Sequence, residues 1–182
     1  MHHHDRRFQG MVERLRSPER LALMEVDRVV DLCLQHIQAA SLLDVGTGTA
    51  VWAEAFAARG LAVAGVDVSA EMLEHARRYV PTGRFELAAA ETLPFDAQAF
   101  DLVFLGHVLH ETDDPVRALS EARRVSRLRV AVLEWPYRQE EQGPPLEHRL
   151  RREQVEGFAR SAGLAAVQFT PLDHMDLYLM PI

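Results

Sequence analysis

The stretch from Ser41 to Trp52, S-L-L-D-V-G-T-G-T-A-V-W, restricts this chain more than any other part of it. Leu42, Leu43 and Val45 form a short apolar run that reads as a buried strand. Two glycines spaced G-x-G follow at once, and Ala50 to Arg59 then reads as a helix, with Gly60 just past its end. Strand, glycine turn and helix together bring backbone close to a nucleotide-like ligand, because glycine lacks the Cβ that blocks the approach. The dinucleotide fingerprint G-x-G-x-x-G needs a glycine where this chain has Val51, so a nicotinamide-dependent dehydrogenase is disfavoured. A turn whose glycines serve only tight packing is the plainer alternative.

The turn carries Asp44-x-Gly46-x-Gly48-x-Ala50, with its acid two residues before the first glycine. This resembles motif I, D-x-G-x-G-x-G, of the class I S-adenosylmethionine-dependent methyltransferases, with Ala50 in place of the third glycine. A second apolar strand, Leu61 to Val66, ends in Asp67, 19 residues beyond Gly48. That is close to the spacing of about 20 at which a second-strand carboxylate meets ribose hydroxyls. A surface acid at a strand end is the other reading. Ser69 then reads as the cap of a helix through Tyr79.

Further along, Ala89-Ala90-Glu91-Thr92-Leu93-Pro94-Phe95 and then Phe100-Asp101-Leu102-Val103 are similar to the G-D-A-E-x-L-P-F…F-D-L-V block of that family. His107-Val108-Leu109-His110 and Glu134-Trp135-Pro136-Tyr137 are closest to its small-molecule group, which resembles the ubiquinone/menaquinone-biosynthesis methyltransferases. The resemblance implies an α/β, Rossmann-like, doubly wound, mostly parallel seven-stranded sheet with an antiparallel last strand. It implies S-adenosylmethionine as cofactor, held by Asp44, Gly46, Thr47, Gly48, Asp67, Val68, Ala90, Glu91 and Gly106. The acid that many relatives place after the third strand, to meet the adenine amino group, is here Ala89, so Ala90 backbone or Glu91 is expected to serve instead. Ala50 and Ala89 also keep open a cofactor-binding module of the same fold without methyl transfer.

Methyl transfer from an activated sulfonium needs in-line positioning of the acceptor, and a base where that acceptor is a hydroxyl or acidic C–H. His107, delivered by the fourth strand to the ligand edge of the sheet, is the first candidate for the base. His110 and Glu111 come next. A histidine that merely fixes the loop is the competing reading for each. The i, i+3, i+4 spacing of these three converges on a metal only if the segment is helical and further ligands join it; no metal is expected. Cys33 as the single thiol argues against thiolate-dependent arsenic methylation, and neither a [DNS]-P-P-[YFW] nor a Pro-Cys signature for DNA methylation is present.

The 182 residues suit one α/β domain over 41–182, preceded by an arm and a packed helix over 1–40. Ser17-Pro18 starts that helix, and Leu21, Met24, Val29, Leu32, Cys33 and Ile37 mark it as one long amphipathic element. Residues 1–17, including His2 to His4, read as a mobile polar arm. A net charge of −7 gives no sign of a nucleic-acid-binding surface, and no apolar run has the length of a membrane span. The start lacks a signal peptide's apolar core, and the lone Cys33 suits the reducing cytoplasm. The expected partner is a small-molecule acceptor; the sequence leaves the oligomeric state open.

Overall fold

The computed structural model describes residues 12–182. Seven strands form one sheet in the order β3-β2-β1-β4-β5-β7-β6, from β1 (Ser41–Val45), β2 (Ala62–Asp67), β3 (Arg84–Leu87), β4 (Phe100–Gly106), β5 (Ser126–Glu134), β6 (Gln168–Pro171) and β7 (Asp176–Pro181). The first five run parallel, and β7 lies antiparallel to both β5 and β6. Successive apolar residues explain why the central strands are buried on both faces, as parallel strands must be. Leu42, Phe104, Ala131 and Leu133 point to one face, where α2 (Val26–Leu34), α3 (Val51–Ala57) and α4 (Ala70–Tyr79) pack. Leu43, Val45, Val103, Leu105, Val130 and Val132 point to the other, under α5 (Pro115–Val125) and α6 (Arg152–Ser161).

Helix starts follow the capping residues. Ser69 Oγ accepts from Met72 N–H at 3.3 Å, and Asp114 Oδ1 from Arg117 N–H at 2.9 Å, with Pro115 as the first helical residue. Because α5 ends at Val125 and β5 begins at Ser126, there is no connecting loop.

Two expectations are corrected. The long N-terminal helix is broken into α1 (Pro18–Leu23) and α2, with Glu25 between them at φ 46°. The Glu25 carboxylate makes the break worthwhile: it accepts from Asp173 N–H at 3.0 Å and pairs with Arg28 at 2.6 Å. The break lets α1 reach the ligand edge while α2 stays on the sheet, where Arg129 Nη1 donates to Cys33 O at 2.7 Å. Residues 12–16 are not a free arm but a 3-10 turn, and Arg16 donates to Thr49 O at 2.7 Å, pairs with Glu54 and covers the Tyr79 ring. His2 to His4 lie outside the described residues. After α6, Gly163 (φ 81°) turns the chain, Leu164 is buried behind the helix, and β6 starts at Gln168. Among the described residues no helix is long and apolar enough to cross a membrane.

Candidate active site

The carboxyl ends of β1, β2, β4 and β5 border one cleft of about 1370 Å³, with α1 and the loop after β5 as its far wall. Drug-sized ligands occupy pockets of roughly 300–1,000 Å³, so two ligands can share this one.

The β1–β2 half is shaped by two carboxylates acting on main chain. Asp44 is fully buried, and its Oδ2 accepts from Thr47 Oγ1 at 2.7 Å and from Ala53 N–H at 3.2 Å. Burial pushes its pKa up to about 7, against the opposing pull of those two hydrogen bonds. Thr47 N–H donates to Val66 O at 2.9 Å and so ties the turn to β2. Gly46 sits at φ 68°, and a Cβ there would lie 2.0 Å from Val108 Cγ2, so this position admits glycine alone. Ala50 also holds a left-handed conformation, φ 61°, and helix α3 therefore starts at Val51, one residue later than its apolar pattern implies.

Asp67, at the end of β2, receives Gly48 N–H on Oδ2 at 2.8 Å and Ser69 N–H on Oδ1 at 2.9 Å. Next to it Val68 is 49% exposed, an apolar side chain left at the cleft rim. Ala88 to Glu91 form the neighbouring wall. Glu91 Oε1 accepts from Asp113 N–H at 2.9 Å and Arg117 Nε donates to the Glu91 main-chain carbonyl at 3.1 Å, so Glu91 braces the turn before α5 with side chain and backbone.

The β4–β5 half is built from side chains. Gly106 ends β4 beneath Trp52: a Cβ on it would lie 2.7 Å from the indole Nε1. His107 follows at φ 60°, its N–H bonded to Leu133 O at 2.8 Å. Its ring stands between Trp135 and Trp52, with centroids 5.2 and 6.5 Å away. Both ring nitrogens are buried and have no hydrogen-bond partner among the described residues. Burial, then the nearby Arg20 and His110, hold this imidazole well below its ordinary pKa, so it is neutral.

His110 faces the other way. Its main-chain N–H reaches Glu134 Oε1 at 3.1 Å, and Nδ1 meets Glu134 Oε2 at 2.7 Å, with both side chains buried. Burial alone would lower this imidazole's pKa. The Glu134 charge and hydrogen bond, helped by Glu111, outweigh it and raise the value. With Nδ1 donating to Glu134, the neutral ring carries its lone pair on Nε2, 3.9 Å from Glu111 Oε1. His107, His110 and Glu111 therefore border one cleft without aiming at one point. No metal-type cluster of three His, Cys, Asp or Glu occurs among the described residues.

The sequence shows Glu134 within a signature but not as the partner of His110, gives Trp52 no role at the site, and leaves Arg20 unmarked. An acid closing the apolar run of β5 was the available signal for the first; Arg20 had none. Arg149 supports the loop above: its guanidinium donates to the carbonyls of Pro136, Arg138, Gln142 and Pro144 while lying over Trp135.

Residues 43–129 match a family described as a methyltransferase domain. A demethylmenaquinone methyltransferase of Renibacterium salmoninarum is 36% identical over 86 residues, covering 47% of this chain and 36% of the relative. Its counterpart in Thermotoga maritima is 33% identical over 111 residues, covering 59% and 48%. The matched region thus spans half or less of the length of these relatives. The solved structure of a SAM-dependent methyltransferase from Aquifex aeolicus superposes with a TM-score of 0.81 at 21% identity, covering 94% of this chain and 96% of that one.

Proposed function

We propose that this chain, whose residues 43–129 match a methyltransferase domain and whose fold is that of a SAM-dependent methyltransferase, moves the methyl group of S-adenosylmethionine to a small-molecule acceptor in the cytoplasm. The observation that carries this reading is the Asp67 carboxylate, fixed by Gly48 and Ser69 N–H groups at the cleft edge beside the Gly46–Gly48 turn. A carboxylate at this position suits two ribose hydroxyls, and exposed Val68 with Ala88 to Ala90 offers an apolar bed for adenine. Asp44 and Thr47 brace the turn, and Gly106 leaves room beside Trp52. When bound, S-adenosylmethionine supplies a methyl group on a positively charged sulfur, already activated for attack.

On the acceptor side, His110 Nε2 is the proton acceptor this arrangement favours. Glu134 is a positioning residue that fixes the tautomer and raises the ring's affinity for a proton. His107, neutral and unpartnered, is better suited to hydrogen-bond the acceptor than to take its proton, and Glu111 adds negative charge beside Nε2. The names of the similar relatives support a quinone-like acceptor as one member of the class. A cofactor-binding module without turnover is the second reading, favoured by the left-handed Ala50 and by Ala89. Incubation with S-adenosylmethionine and a panel of phenols, enols, carboxylic acids and amines, with detection of S-adenosylhomocysteine, decides between them. Acceptor-dependent product supports transfer. Binding of the cofactor with no product across the panel supports the module.

A further inference from the structure

Arg20 stands out among the groups lining the cleft. It projects from α1, and its guanidinium has neither a hydrogen bond nor an ion pair among the described residues. Its recorded contact is the face of Trp135, with Cζ 5.9 Å from the ring centroid. Most other arginines near the ligand edge are engaged: Arg16 with Thr49 and Glu54, Arg117 with Glu91, Arg149 with four loop carbonyls. Burial pulls the Arg20 pKa down, with the Glu111 charge opposing, so this cation has given up part of its hydration without gaining a hydrogen-bonded partner among the described residues. A desolvated charge left unpaired is costly, and such groups are kept where a ligand supplies the counter-charge.

A second observation points to the same spot. His107, close enough to feel the Arg20 charge, is partly buried, and its two buried ring nitrogens have no partner among the described residues. A hydrogen-bonding ring so placed has capacity left for a polar group of a ligand.

Resting on the methyltransferase reading, we infer that the β4–β5 half of the cleft takes a planar acceptor bearing a carboxylate, with Arg20 as its counter-ion. The planar guanidinium fork matches a carboxylate, and one such cation balances a monoanion. The His107 ring, packed at 5.2 Å on the buried Trp135 indole, lines the cleft and offers a flat ring an aromatic contact. A phosphate dianion would leave excess negative charge beside Glu111.

Calorimetric titration of 2-naphthoate and its neutral amide, 2-naphthamide, tests this, with and without saturating S-adenosylhomocysteine. The acid should bind about 10- to 100-fold more tightly than the amide, the range expected for charge-assisted hydrogen bonds. Arg20→Gln should abolish that preference, and Arg20→Lys should keep most of it, with the melting temperature of both variants near that of wild type. Equal affinity for acid and amide, binding of neither, or a preference that survives Arg20→Gln overturns the inference. Failure of S-adenosylhomocysteine itself to bind would instead condemn the methyltransferase reading, and the two failures are separately visible.

Discussion

The two halves of the sheet's ligand edge are made of different materials. At the ends of β1 and β2, main-chain groups line the cleft, and two carboxylates behind them hold the turn: Asp44 under Thr47 and Ala53, Asp67 under Gly48 and Ser69. At the ends of β4 and β5, side chains do the work, with His110 on Glu134 and His107 between two indoles. A backbone-built half recognises what every ligand of its class shares. A half built from side chains can be refitted one residue at a time without disturbing the turn. One point where they join is Gly46 against Val108, beside the paired strands β1 and β4.

The sharpest way to separate the halves is to remove chemistry from one only. His110→Ala should lower turnover by roughly 10²–10⁴-fold, while S-adenosylhomocysteine affinity in calorimetry stays within about threefold of wild type. Glu134→Gln should lose less, and the rising limb of its kcat/KM profile should move to lower pH, because the carboxylate that raises the His110 pKa is gone. Equal damage to cofactor affinity and turnover would join the halves again.

Breaking the join is next in size. Gly46→Ala meets Val108 and must also hold a left-handed φ, costing about 2–4 kcal/mol in denaturant unfolding. Gly48→Ala, whose Cβ would have Leu15 no nearer than 3.9 Å, should cost only about 1 kcal/mol. A graded effect comes from Asp44. Its folded pKa of about 7 lies above the unfolded value of 3.8, so its contribution is fully present below 3.8 and is lost as pH rises towards 7. Stability of Asp44→Asn measured across that window should lack this slope. The smallest change should be a gain: Ala50→Gly relieves a left-handed alanine and raises stability by about 0.5–1 kcal/mol.

The same contrast decides what could be read from the chain. The Asp44-Gly46-Gly48 turn and Asp67 were legible because main-chain recognition demands small residues and acids at fixed spacings within one β-α-β unit. The cap at Ser69 was legible for a similarly local reason, whereas the seven-stranded, mostly parallel sheet came from the resemblance to the methyltransferases. The His110–Glu134 pair was not, since its members are 24 residues apart and meet only because β4 and β5 are neighbours. Arg20 was hidden for another reason: its helix is interrupted at Glu25 by a bond to Asp173, 148 residues away, which no periodicity within the helix reports.

The central claim is that Asp67 anchors S-adenosylmethionine's ribose on the backbone-built half. Calorimetric titration of S-adenosylhomocysteine into wild type and Asp67→Ala tests it most directly. Two charge-assisted hydrogen bonds at about 1.5–3 kcal/mol each predict a loss of roughly 10²–10⁴-fold in affinity, exceeding the accompanying loss of folding stability. Equal affinity in the two proteins, or no binding to wild type at millimolar ligand, would contradict it.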